Sequence, residues 1–303
     1  MSAPRILNFG SLNVDHVYRV KTFVRPGETI SALDYRVFPG GKGLNQSIAL
    51  GRAGARCTHA GVLGQDGLFL RTLLEQEKVD CSLLRFKADM ASGHAVIQVS
   101  EAGENCIVLY GGTNQAVDEA MVQDVLAHFS PGDCILLQNE ISAMPAIMRL
   151  ASQRGMRIFI NPAPMNEAAM ALPMELADTI IVNETEGAAL ASLPGTAEPA
   201  AVIDALHRRL PAANVLMTLG GSGSVRLDAA TGALVSIPAA RAAQVVDTTA
   251  AGDTYIGYYL ALCAEGRPPR ECMETAARAA AVCVSRAGAG VSIPHRSELQ
   301  GAL

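Results

Sequence analysis

Cys134-Ile-Leu-Leu137 is an unbroken apolar run, Ser142–Gln153 has helical spacing, and Ile158-Phe-Ile160 is apolar again. Together they spell strand, helix, strand. An apolar run with no polar alternation suits a strand buried on both faces, as in a parallel sheet. Working outward, Ile6–Phe9 and Ala60–Val62 on one side, and Thr179–Val182 and Val215–Thr218 on the other, read the same way. Helical patterns over Lys42–Ala53, Leu68–Glu77 and Pro199–Arg209 separate them. The rhythm predicts an α/β fold of three layers, α/β/α, around a mostly parallel central sheet. Such sheets bind ligands beyond the carboxyl ends of their strands.

Two regions break the rhythm. Asp15–Val20 with Thr29–Phe38, and His94–Val99 with Asn105–Leu109, read as hairpin pieces with no helix between them. The Glu101-Ala-Gly-Glu104 segment supplies a tight turn. We read the two insertions, about 14–38 and 94–110, as a small β-sheet lid; an edge extension of the main sheet is the alternative. No repeat, linker or low-complexity segment divides the chain, so residues 1–303 are expected to form one domain.

The composition fits. Half of the 303 residues are hydrophobic, only 4% are aromatic, and Trp is absent. Aliphatic side chains therefore build the core. Net charge is −5, and no segment gathers enough Lys and Arg to neutralise a row of phosphates, which argues against nucleic acid. No apolar stretch approaches the roughly 20 residues of a bilayer span. The strand-like run Arg5–Gly10 leaves no room for a signal peptide, and the seven cysteines are scattered singly. Both features predict a cytoplasmic protein with reduced thiols.

The chemistry concentrates at Val246-Asp-Thr-Thr-Ala-Ala-Gly-Asp-Thr254, just before a helical pattern over Tyr255–Cys263. Small residues at a helix start leave backbone N–H groups accessible to an anion. Asp253 falls in that first turn. It could accept a hydroxyl proton while the oxygen attacks a phosphorus atom beside the N–H groups, or it could simply cap the helix.

Four motifs, in order, decide between these. Asp247-Thr-Thr-Ala-Ala-Gly-Asp253 resembles the C-terminal signature of the ribokinase, or phosphofructokinase-B-type, sugar-kinase family. Gly40-Gly-Lys-Gly-Leu-Asn45 resembles its N-terminal signature, and Asn161-Pro-Ala-Pro164 and Asn183-Glu-Thr-Glu186 match two elements between. The resemblance spans the chain. It implies an ATP-dependent carbohydrate kinase with Asp253 as base and Ala250, Ala251 and Gly252 as anion-hole donors. It assigns Thr218, Gly220, Gly221 and Gly223 to the segment wrapping the nucleotide, where a glycine turn between strands is the plainer reading. Asn183 and Glu186 would position Mg²⁺ and phosphates through water, though the same pair suits an ordinary helix start.

The resemblance also places Asn13, Asp15, Gly41, Lys42, Gly43, Asn45 and Glu140 around the sugar. Gly10-Ser-Leu-Asn-Val-Asp-His16 is most similar to the ribose-phosphorylating members, which makes ribose the expected acceptor. Deoxyribose, another pentose, a ketohexose or a nucleoside are the alternatives, with a non-catalytic sensor further behind. A monovalent cation, usually K⁺, is implied at Asp247, Thr249, Cys283, Arg286, Gly288 and Ser292, mostly through carbonyls. A homodimer joined through the lids is implied too.

Two departures bear on specificity. Leu44 stands where many members carry a small residue, which is expected to change pocket shape. Ala277 replaces a polar residue near the expected adenine site. Other nucleotide signatures are missing: Lys42 precedes Gly43, so the segment is no P-loop, and no Gly-x-Gly-x-x-Gly follows a strand. The six histidines show no zinc-ligand spacing, so a catalytic zinc is not expected.

Overall fold

Each apolar run named above lies in a strand hydrogen-bonded in parallel to its neighbour. The structure is a computed structural model and describes residues 4–300. In chain order its strands are β1 (Ile6–Phe9), β2 (Asn13–Val20), β3 (Asp34–Gly40), β4 (Cys57–Leu63), β5 (Asp80–Phe86), β6 (Gly93–Ser100) and β7 (Asn105–Tyr110). They continue as β8 (Cys134–Gln138), β9 (Arg157–Asn161), β10 (Thr179–Asn183), β11 (Asn214–Thr218), β12 (Ser224–Leu227) and β13 (Leu234–Ile237). The helices are α1 (Lys42–Arg52), α2 (Leu68–Gln76), α3 (Glu119–Ala127), α4 (Met144–Gln153), α5 (Glu167–Met170), α6 (Glu184–Leu190), α7 (Pro199–Arg209), α8 (Ala251–Ala264) and α9 (Pro269–Cys283).

The main sheet has the order β13-β12-β11-β10-β9-β8-β1-β4-β5. At the β13 edge β12 runs antiparallel to β11, and β13 runs antiparallel to β12. Alternate strand residues enter opposite cores. Ile6, Leu136, Phe159, Ile181 and Leu216 meet α1, α8 and α9 on one face. Leu7, Ile135, Ile160, Ile180 and Val215 meet α3, α4 and α7 on the other. That is the three-layer α/β/α arrangement, and it explains why both faces of each strand are apolar.

The two insertions form a separate four-stranded sheet, β3-β2-β6-β7, and not an extension of the main one. It is mixed: β2 pairs β6 in parallel, and both outer pairs are antiparallel. Residues 29–33 stay outside the strands. The helix of the opening unit, α4, starts at Met144 and not Ser142, because Ala143 adopts a left-handed backbone (φ +60°). Leu44 is fully buried in the core behind α1, so it does not shape a pocket.

Helix α8 is buried on nearly every side from Asp253 to Leu262. It crosses α1 with no side chain at Gly257. A Cβ there would overlap the Ala49 Cβ and sit 3.0 Å from Gln46 O and Leu50 N. Intrinsic propensity favours Ala over Gly in a helix by about 1 kcal/mol, whereas overpacking costs about 1–3 kcal/mol. Gly257→Ala is therefore expected to lower stability. A urea unfolding midpoint equal to or above the parent's would contradict this close approach.

Candidate active site

The N-termini of α1 and α8 converge at the carboxyl ends of β1 and β8. Gly41 precedes α1 with φ +96°, a conformation L side chains rarely adopt. Gly43 lies so close to the β1 exit that a Cβ would overlap Ser11 N. These glycines let the chain turn from β3 into α1 directly against Ser11. Asn45 and Gln46 then point across to α8.

Asp253 is buried, 8% exposed, and its carboxylate is held from α1. Asn45 Nδ2 donates to Oδ2 at 3.0 Å and Gln46 Nε2 to Oδ1 at 2.9 Å. Ala250, immediately before α8, is left-handed (φ +61°) and opens the helix. The Ala251 N–H turns back to Thr248 O at 3.2 Å. Among the described residues the N–H groups of Ala250, Gly252 and Asp253 find no acceptor. Nothing lies within 4 Å of a Cβ at Gly252. Of the three donors expected, Ala250 and Gly252 are free, Ala251 is engaged, and Asp253's own N–H joins them.

Glu140, beyond the end of β8, accepts from Lys42 N at 2.9 Å and from Ser11 Oγ. Burial holds its carboxyl above the ordinary value despite those two bonds and the Lys42 charge. Burial also pushes Asp15 up to about 6, with Glu140 adding to the effect. Asp15 lies on β2 against Gly40, where any side chain would overlap its carboxylate. Burial works against the Lys42 charge, but Asp253, Glu140 and Glu186 together hold its ammonium above the ordinary value. Asn13 Oδ1 accepts from Asn114 Nδ2 at 2.7 Å. Asn13 and Glu140 share a cavity of about 260 Å³ with Asn114, Asn139 and Asn166.

On the far side of Gly252 a cavity of about 550 Å³ brings Thr218, Gly220, Gly221 and Gly223 together with Gly252 and Ala277. Gly220 (φ +50°) and Gly223 (φ +102°) have backbones that suit glycine, and Gly221 faces open space. Asn183 and Glu186 form a reciprocal capping box at the start of α6. That box commits Asn183 Oδ1 and one Glu186 oxygen, while Glu186 still reaches the Lys42 charge.

The implied cation segments also meet. Asp247 Oδ1 accepts from Thr249 N at 2.9 Å and Oδ2 from Gly288 N at 3.0 Å. Burial pushes the Asp247 carboxyl up, but these bonds and the Thr249 hydroxyl outweigh it and hold it low. Cys283 is buried with Sγ 3.1 Å from Ser292 Oγ. The Arg286 side chain instead pairs with Glu298.

Sequence reasoning missed Ser11, Gln46, Asn114 and Gln138. Ser11 and Gln46 adjoin quoted motifs, and Gln138 is a polar residue closing an apolar strand, so each left a local trace. Asn114 left none; only the fold brings it to Asn13.

The model for "pfkB family carbohydrate kinase" matches residues 3–296. A ribokinase of Haemophilus influenzae is 33% identical over 294 residues, which cover 95% of this chain and 95% of that one. The crystal structure of ribokinase from Cryptococcus neoformans var. grubii serotype A in complex with ADP is 31% identical, with a TM-score of 0.88 over 99% of this chain and 100% of that one. The Arabidopsis thaliana ribokinase complexed with ribose and ATP is 27% identical, with a TM-score of 0.85 over 99% and 98%. The match spans the sheet, both helix starts and the small second sheet, and this chain belongs to the pfkB family of carbohydrate kinases.

Proposed function

We propose that this protein transfers the γ-phosphoryl group of ATP to the 5-hydroxyl of ribose. The observation that carries the reading is the Asp253 carboxylate, fixed by two amides beside unpaired main-chain N–H groups, between a polar cavity and a glycine-lined one. In this reading Asp253 takes the hydroxyl proton while the oxygen attacks phosphorus and the bond to the ADP oxygen breaks. The N–H groups of Ala250, Gly252 and Asp253 stabilise charge on the transferring group. Lys42 faces the same charge from α1. Asn13, Asp15, Gly41, Gly43, Asn45 and Glu140 orient the sugar, the carboxylates each accepting from hydroxyls. Thr218 and the glycines at 220, 221 and 223 cradle the nucleotide.

Mg²⁺, when bound, neutralises phosphate charge; Glu186, with one oxygen outside its cap, and Asn183 would hold it through water. Asp247 and Ser292, with the carbonyls of Thr249, Cys283, Arg286 and Gly288, would hold K⁺. This donor set is all oxygen, the chemistry an alkali cation takes. The small sheet acts as a lid, closing over the sugar and excluding water that would compete for the phosphoryl group. The chain forms one domain with that lid inserted. Seven free cysteines support a reducing, cytoplasmic setting. No helix among the described residues is long and apolar enough to cross a membrane.

The same sheet supports a homodimer. All six residues of its edge strand β7 are exposed, Val108 to 66% and Leu109 to 54%. An apolar edge of this kind is a pairing surface. Light scattering is expected to give twice the chain mass of 31.7 kDa, and a monomer at all concentrations would exclude lid pairing.

Comparison across a sugar panel tests the function. ATP consumption should depend on added sugar, favour ribose over deoxyribose, ketohexoses and nucleosides, and rise with K⁺. Asp253→Asn should abolish it while leaving ribose binding largely intact. Consumption equal in parent and Asp253→Asn would remove the base, and preference for another panel member would reassign the sugar.

Asp15 gives a pH signature. Its raised value means that the acceptor form is lost as pH falls through about 6, so ribose affinity should weaken there. Asp15→Asn should weaken binding at pH 7.5 by about 1.5–3 kcal/mol, the range for hydrogen bonds to a charged group, and flatten the dependence between pH 7 and 5.5. Calorimetric profiles that run parallel for the two proteins would take Asp15 out of the pocket.

A further inference from the structure

Behind the Asp253 carboxylate runs a chain of polar side chains that the proposed reaction does not use. Asn8, Gln46, Ser47, His59 and Gln138 are all fully buried, at 0% exposure, so none of them can touch a sugar or a nucleotide. They come from β1, α1, β4 and β8. Each is costly to bury without partners, and five together between apolar cores require an explanation.

The hydrogen bonds fix one direction through the chain. A carboxylate only accepts, so Gln46 must present its amide nitrogen to Asp253 Oδ1. That leaves Gln46 Oε1 facing inward, where Gln138 Nε2 donates to it at 2.6 Å. The same Gln138 nitrogen donates to Asn8 Oδ1 at 3.0 Å. Asn8 Nδ2 then donates to Ser47 Oγ at 2.7 Å and to Gly43 O at 2.8 Å. With its oxygen accepting from Asn8, Ser47 turns its proton to His59 Nδ1 at 2.7 Å. His59 is thereby the tautomer with hydrogen on Nε2, which donates to Gly10 O at 3.2 Å. Burial lowers His59 to about 4, so it stays neutral and this tautomer persists.

We infer that Gln46 is a positioning residue for Asp253, and that Gln138 keeps the Gln46 amide from flipping. A flipped amide would set its oxygen against the carboxylate. Gly43 O, at the sugar-side start of α1, is tied into the same network, which sets the base and the pocket floor in one register. The inference rests on Asp253 being the base.

The test uses the full-length Gln46→Met and Gln138→Met proteins, with Asp253→Asn as the reference. Methionine keeps the volume and removes the hydrogen bonds. For Gln46→Met, kcat should fall about 10- to 100-fold, the range for a misplaced catalytic group, while ribose and ATP dissociation constants stay within about threefold of the parent's. Gln138→Met should lose less of kcat with the same split. An inactive Asp253→Asn beside a folded Gln46→Met with parental kcat would overturn the inference alone. So would a loss appearing in the ribose dissociation constant and not in kcat. If Gln46→Met fails to fold, Gln138→Met decides, and a parental kcat there overturns it. Parental turnover in Asp253→Asn would sink the base reading itself, which these variants would then not rescue.

Discussion

The approach of α1 to α8 constrains everything at the site. Gly257 packs on Ala49, and one turn earlier on each helix the same faces present Asp253 opposite Asn45 and Gln46. On an α-helix, residues four apart share a face, so the spacing set at Gly257 is also the spacing at Asp253. A bulkier residue at 257 would push the helices apart where the carboxylate needs partners within about 3 Å. The hydrophobic contact is therefore what makes the polar contact possible. The two are adjacent turns of one interface.

A second constraint is electrostatic. Asp253, Glu140 and Glu186 all act on one ammonium, Lys42, and Asp15 lies near enough to Glu140 to feel its charge. Burial disfavours the charged form and raises both Asp15 and Glu140. Hydrogen-bond donors resist this unequally. Glu140 receives bonds from Ser11 and Lys42 N, and Asp253 from two amides, whereas among the described residues none donates to Asp15. Asp15 is therefore the carboxylate with acceptor capacity left over. In the proposed reading a sugar hydroxyl is the donor it lacks.

Much of this was legible in the residues because the signals were local. Unbroken apolar runs marked the parallel strands, and glycines and small residues marked both helix starts. The two insertions read correctly as a separate sheet because no helical pattern separates their strand-like runs. Other elements carried weaker signals. β12 and β13 are four residues each, and β5 mixes exposed with buried positions, so none forms a continuous apolar run. Leu44 looked like a pocket residue beside Lys42 and Asn45, but helical geometry turns it into the core. Ala251 looked like a free donor, but its N–H closes a turn with Thr248 that composition does not reveal. Gln138 and Asn114 depend on the order of strands across the sheet, which no single segment encodes.

The placement of the polar network follows from the fold's own geometry. In a parallel sheet the carboxyl ends of central strands open a crevice, and β1 and β8 lie side by side there. Asn8 and Gln138 sit on those neighbouring strands, one residue from the last paired positions, under the start of α1. Apolar residues in their places would pack well and could raise stability, since buried polar groups bring no net gain over a well-filled core. Their directional bonds do what packing cannot: they choose one orientation for Gln46 and hold it. A rigid sheet thus reaches through two amides to a single carboxylate. Among the described residues the small sheet stands apart from this route, its four strands hydrogen-bonded to one another and not to the main sheet.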